Sequence, residues 1–156
     1  MQLTRLISTG VAIGVVSVSG AAAAAAATHS GDAKAAPTIS VRSSTAYGEI
    51  LVDSKGFTLY LWAKDTKDKS ACSGACLGVT PFVLISGKPT AGPGVRQKLL
   101  GTIKVKGGNE VTYNGSPLYT FVSDFQPGLI LGEGNEPFGG PWWVVSPAGN
   151  AITKKP

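Results

Sequence analysis

Apolar and polar positions begin to alternate in a strand-like way at Gly48, where the chain reads GEILVDSKGFTLYLWAKD. This pattern predicts a strand over residues 49–52, a turn at DSKG and a second strand over 58–62. Asp and Gly supply the side-chain hydrogen bond and the positive φ of a tight hairpin. A polar loop, KDTKDKSACSGACLG, leads to the apolar run TPFVLISG, and a Pro/Gly-rich joint, GKPTAGPG, follows. The second half predicts strands over 102–106 and 110–113, with turns at GGN and NGSP. A glycine-rich loop, FQPGLILGEGNEPFGG, then precedes PWWVVSPAGNAIT. No segment keeps a helical period with caps at both ends. Short β-branched and aromatic runs broken by Gly, Pro and Asn read as all-β.

Strand parity puts Tyr60 and Trp62 on one face and Leu59 and Leu61 on the other. Tyr119 and Phe121 share a face in the same way, opposite Leu118 and Thr120. The paired aromatics therefore read as core, since a small β domain depends on its large side chains.

The halves echo each other. GFTLYLWAKD from Gly56 matches GSPLYTFVSD from Gly115, and PFVLIS from Pro81 matches PWWVVS from Pro141. Two hairpin-plus-strand units, neither able to bury its apolar face alone, are expected to pack together. The expected architecture is a single compact antiparallel β domain over 46–153. Repeat 1 covers 46–95 and repeat 2 covers 96–156.

Ahead of this domain, Arg5 and an uncharged run ending in an alanine tract have the order of a secretory signal peptide over 1–27, cleaved near Ala27. Residues 28–45, small and polar, read as a disordered tether. The leader has no lipid-accepting cysteine near its end, and no later apolar run is long enough for a transmembrane segment. Secretion outside the cytoplasm is therefore expected. The chain has 14 Lys and Arg against 9 Asp and Glu, a formal +5, which falls to +4 once Arg5 leaves. Lys64, Lys67 and Lys69 alternate with Asp65 and Asp68, a solvated mixed-charge loop rather than a nucleic-acid surface.

Candidate chemistry is sparse. Cys72 and Cys76 are the only cysteines, and in a secreted chain an even count defaults to a disulfide. A redox-active CxxxC dithiol is the sharper alternative. His29 is the only histidine and sits at the leader junction, so no Ser-His-Asp or Cys-His site and no ordinary zinc site can form in the domain. No nucleotide-binding loop occurs, and no cofactor is implied. Asp65 and Asp124 each close a predicted strand, where turn chemistry is the default. A carboxylate pair drawn from Asp65, Asp124, Glu133 and Glu136 stays open. Trp142 and Trp143 are candidate surface aromatics, and alternation leaves at most one of them as an exposed platform.

The motif Tyr-x-(Phe/Trp/Tyr)-x-x-Asp appears as Tyr60-Leu-Trp62-Ala-Lys-Asp65 and as Tyr119-Thr-Phe121-Val-Ser-Asp124. With the cysteine segment, TYNGSPLY and PWWVVSPAG around it, the chain resembles a family of bacterial secreted and lipid-anchored tandem-repeat proteins of unknown function. Relatives often carry a tryptophan and two prolines after the second cysteine. Here Thr80 and Phe82 occupy two of those positions, so the first-half loop is expected to pack differently. The resemblance implies an envelope repeat module and supplies no activity. The expected function is a secreted, non-enzymatic β module with an envelope or extracellular partner. An electron-transfer accessory using the cysteine pair and a glycan-binding protein using exposed aromatics are the alternatives.

Overall fold

The computed structural model describes Gly10 and residues 38–153. Gly10 aside, the expected signal peptide lies outside the described residues, as does the tether as far as residue 37. Strand β1 (Ile39–Ser44) pairs antiparallel with β2 (Gly48–Asp53), in register from Ile39 opposite Asp53 to Ser44 opposite Gly48. This corrects the tether boundary, because 39–44 belongs to the folded domain. Its polar text concealed Ile39, which is fully buried in the core. The Ile39 carbonyl accepts from Gly92 N–H, and Thr38 N–H donates to the Thr90 carbonyl. The ordering cost of β1 is thus offset by both burial and hydrogen bonds.

The remaining elements are β3 (Tyr60–Trp62), α1 (Ala75–Val79), β4 (Leu84–Ile85), a 3-10 turn (Gln97–Leu99), β5 (Leu100–Val105), β6 (Gly108–Tyr113), β7 (Ser116–Pro117) and β8 (Trp142–Val144). The fold is all-β with antiparallel pairing between these strands. β3 pairs with β8, β4–β6–β5 form a third sheet, and β7 lies against β6. Among the described residues, no helix is long and apolar enough to cross a membrane.

Turn chemistry follows local sequence. Asn114 and Gly115 have φ of 52° and 79°, the two positive values a two-residue type I′ hairpin requires. In the first repeat the turn is one residue longer. Asp53 Oδ1 accepts the Lys55 and Phe57 N–H groups, and Gly56 takes φ 88°.

The repeats interlock. β3 of the first pairs with β8 of the second, and β4 of the first pairs with β6 of the second. Between them Tyr60 and Tyr119 face each other as an antiparallel bridge, exchanging two backbone hydrogen bonds of 2.9 and 3.0 Å. The two outer pairings differ in register by two residues. Tyr60 lies opposite Val144, whereas Tyr119 lies opposite Phe82, the counterpart of Trp142. A shift of two preserves which face each side chain occupies. The shift falls where the Thr80 and Phe82 departures occur.

Two buried clusters sit on opposite faces of these central strands. One holds Leu59, Leu61, Leu118 and Val145 with Ile39, Leu51, Val111 and Tyr113. The other holds Tyr60, Trp62, Tyr119, Trp142 and Val144 with Ile50 and both cysteines. The parity expected for LYLW places its aliphatic and aromatic residues in separate clusters.

Candidate functional site

The repeated motif is where polar chemistry enters the core, and its partners are crossed. Tyr60 Oη donates to Asp124 Oδ2 at 2.6 Å, and Tyr119 Oη donates to Asp65 Oδ2 at 2.6 Å. The tyrosine of each copy thus binds the aspartate of the other. The reason is geometric. Each motif aspartate lies beyond its own strand end, while the antiparallel Tyr60–Tyr119 bridge directs each ring toward the other copy's loop.

The free oxygen of each carboxylate holds its own loop. Asp124 Oδ1 accepts Leu131 N–H at 2.8 Å, and Asp65 Oδ1 accepts Ala71 N–H at 2.7 Å. Tyr60 Oη also accepts Gly132 N–H at 3.2 Å. A Cβ at Gly132 would come within 2.9 Å of the Tyr60 ring, so glycine allows this approach. Ser70 Oγ lies 2.6 Å from Tyr119 Oη. Tyr119 spends its single proton on Asp65, so Ser70 is the donor there, and Ser70 Oγ accepts Cys72 N–H.

Electrostatics follow burial. Tyr60 and Tyr119 are essentially inaccessible. Desolvation, reinforced by the neighbouring carboxylate, raises both phenols well above their ordinary range. Desolvation also raises Asp65, against the hydrogen bonds from Ala71 and Tyr119 that lower it. Asp124 is buried as well.

The other motif aromatics form a stack. Trp62 and Trp142 are parallel with centroids 5.0 Å apart, and Tyr119 meets Trp142 edge-on at 4.9 Å. Trp62 Nε1 donates to the Gly140 carbonyl, while Trp142 Nε1 is buried without a partner. Phe121 is half-buried, with its ring edge-on to Tyr60 at 6.4 Å. Trp142 and Trp143, the candidate surface aromatics of which at most one was expected to be exposed, both lie against core clusters. Trp142 is 2% exposed, and Trp143 packs half-buried against the opposite cluster. Both faces of β8 are covered, so alternation places each indole in a core.

Cys72 and Cys76 form a disulfide with Cα atoms 5.5 Å apart, and both are buried. The ring encloses the start of α1. Thr80 closes it, donating its hydroxyl to the Cys76 carbonyl at 2.9 Å.

The candidate carboxylate pair is not assembled as one site. Asp65 and Asp124 serve different tyrosines, Glu133 Oε2 accepts Val144 N–H at 2.6 Å, and Glu136 is exposed. Among the described residues, no three His, Cys, Asp or Glu side chains are placed to hold a metal.

Sequence reasoning missed Glu110. It is fully buried on β6, and neither carboxylate oxygen has a partner. Burial, with some repulsion from Asp65, pushes its carboxyl up to about 9. Glu110 shares a face of β6 with Thr112, opposite Val111 and Tyr113, and nothing in the local sequence indicates a layer that covers that face. At the surface, Val122 and Phe125 are 53% and 75% exposed. They border an open cleft of about 340 Å³ with Phe57, Phe121 and Lys55.

A family model described as a secreted repeat of unknown function matches residues 41–83 and 101–146. Each match spans a hairpin, a motif strand and its aspartate, and the first begins within β1. No curated protein and no solved structure matches the chain.

Proposed function

The chain belongs to this family of secreted repeats of unknown function, and from that premise we propose that it is a non-enzymatic envelope module that acts by binding. In this reading its signature motif builds the fold. The reciprocal Tyr60–Asp124 and Tyr119–Asp65 pairs carry it. Each hydroxyl and each carboxylate oxygen of the motif already has a partner inside the protein, so its polar groups hold the fold together rather than face a substrate. The buried Cys72–Cys76 bridge supports a structural over a redox role for the cysteines. The burial of Trp142 weighs against a tryptophan platform for glycans. A partner would instead meet side chains left at the surface, of which Phe125 is the most exposed large apolar one.

Retention of the purified protein on isolated envelope fractions tests this. Wild type is expected to be retained. Asp65→Asn with Asp124→Asn, which keeps the acceptors but removes their charge, is expected to be retained equally. Val122→Ser with Phe125→Ser should elute early. Absence of wild-type retention would remove the binding role. Loss in the Asn variant with a native circular dichroism spectrum would return the motif to the binding site.

A further inference from the structure

The tyrosine–aspartate pairs do more chemically than hold two loops. A buried phenol with a carboxylate 2.6 Å from its oxygen is arranged for coupled loss of an electron and a proton. The proton has somewhere to go, and without that outlet a phenol in a low-dielectric site resists oxidation. Tyr60 meets Phe121, whereas Tyr119 meets a tryptophan. The Tyr119 ring lies edge-on to Trp142 at 4.9 Å, and Trp142 stacks on Trp62 at 5.0 Å. Exposure rises along this series from 0% at Tyr119 through 2% at Trp142 to 5% at Trp62. All three rings are buried, with Trp62 the least so.

We infer that Trp62, Trp142 and Tyr119 form a one-electron relay, with Tyr119 as its oxidised end and Asp65 as the proton acceptor. The reaction needs a one-electron oxidant at the surface, of the radical or high-valent-metal class. One electron passes from the Tyr119 ring through Trp142 and Trp62 to that oxidant. The hydroxyl proton moves from Tyr119 Oη to Asp65 Oδ2. Tyr119 becomes a neutral phenoxyl radical, Asp65 a neutral acid, and the oxidant is reduced by one. Return of an electron reverses both transfers.

The surroundings set the direction. Lys64 Nζ sits 5.6 Å from the centroid of the Trp62 ring, and a cation there disfavours positive charge on that indole. Trp62 Nε1–H is bonded to a backbone carbonyl, which is a poor base. Trp142 Nε1–H is buried with no protein acceptor, so an oxidised Trp142 has no carboxylate at hand for its proton. Tyr119 alone in the stack has a carboxylate for its proton. A hole entering at Trp62 therefore moves inward and comes to rest at Tyr119. Ser70 donates to the same phenol oxygen, and it stays in place when the proton leaves. Desolvation keeps the Tyr119 phenol protonated at any physiological pH, so its oxidation must carry the proton along.

This role extends beyond the structural one and is separable from it, because Asn at position 65 can still accept the Tyr119 hydrogen bond but cannot take its proton. The experiment is flash oxidation of the full-length protein by a soluble ruthenium(III) polypyridyl complex, followed by transient absorption and electron paramagnetic resonance. A neutral tyrosyl radical is expected in wild type. Tyr47→Phe should leave it unchanged, and Tyr119→Phe should abolish it. Asp65→Asn should slow its formation at least about tenfold, the change produced by about 1.4 kcal/mol of lost transition-state stabilisation. Deuterium oxide should slow the wild-type step further. Trp142→Phe should lower the yield, and Trp62→Phe serves if that variant does not fold. Near-ultraviolet circular dichroism checks each fold. No tyrosyl radical in wild type, a radical carried by Tyr47, or an unchanged rate in folded Asp65→Asn would each overturn the relay.

Discussion

Deleting one phenol oxygen from a motif tyrosine leaves a buried carboxylate short of a donor, and the two copies differ in how deeply that carboxylate lies. Asp124 is 3% exposed, whereas Asp65 is only partly buried. Tyr60→Phe is therefore expected to cost about 2–3 kcal/mol and Tyr119→Phe about 1–2 kcal/mol, measured by urea unfolding. Equal and negligible losses would mean that solvent replaces both donors. Glu110 makes a second prediction through pH. Its carboxyl is raised from 4.5 to about 9, so the folded state holds a proton that the unfolded chain releases. Its contribution is fully present below pH 4.5 and is lost as pH rises through about 9, at up to about 1.4 kcal/mol per pH unit in that window. Asp65, also raised, contributes in the same direction. Glu110→Gln should flatten the decline and exceed wild-type stability at the alkaline end. A parallel pH profile for the variant would mean that Glu110 is ionised in the fold. The motif tyrosines were legible from period-two parity. Glu110 was not, because alternation records which face a side chain takes and not what covers that face.

Elements carry their own tests. The Cys72–Cys76 ring closes five residues, for which the chain-entropy treatment gives about 2 kcal/mol. Cys72→Ser with Cys76→Ser should lower the melting temperature and leave a folded protein, since both hydrophobic clusters draw mainly on other residues. Complete unfolding would show that the Cys-loop stabilises far more of the domain than its own ring. The β6–β7 turn is stricter, because Asn114 and Gly115 both hold positive φ. Gly115→Ala is expected to cost about 1–2 kcal/mol through backbone strain, besides displacing Lys67, whose Cγ lies 2.9 Å from where the Cβ would sit. These hairpins could be read from Asn-Gly and from Asp53 before Lys-Gly, where chemistry and geometry coincide over three or four residues. Strand β1 could not. TISVRSS is polar enough to resemble a linker, and it becomes a strand only because β2 offers an edge and the core has room for Ile39. The two-residue slip between the outer pairings was equally hidden. It changes no side-chain face, so the hydrophobic pattern is blind to it.

At the scale of the whole domain, the exchange of partners makes each repeat incomplete. The first repeat supplies β3 to the second repeat's β8, and the second supplies β6 to the first repeat's β4. The echo in the text revealed two copies. It could not reveal that Tyr60 would pass over Asp65, five residues away, for Asp124, 64 positions on, since spacing within a copy and spacing between copies are chemically alike on paper. A double-mutant cycle separates the possibilities. Tyr60→Phe combined with Asp124→Asn should show coupling of about 0.5–3 kcal/mol, as should Tyr119→Phe with Asp65→Asn. Tyr60→Phe combined with Asp65→Asn should be additive within about 0.5 kcal/mol, as should Tyr119→Phe with Asp124→Asn. Strong coupling within a copy would mean that each repeat satisfies its own motif, and the interlock would then be incidental. Coupling only across copies would explain why the signature occurs twice in one chain. A single copy would have a buried hydroxyl and a turn aspartate with no one to meet, so the pair of repeats, and not the repeat, is the smallest unit able to satisfy the motif.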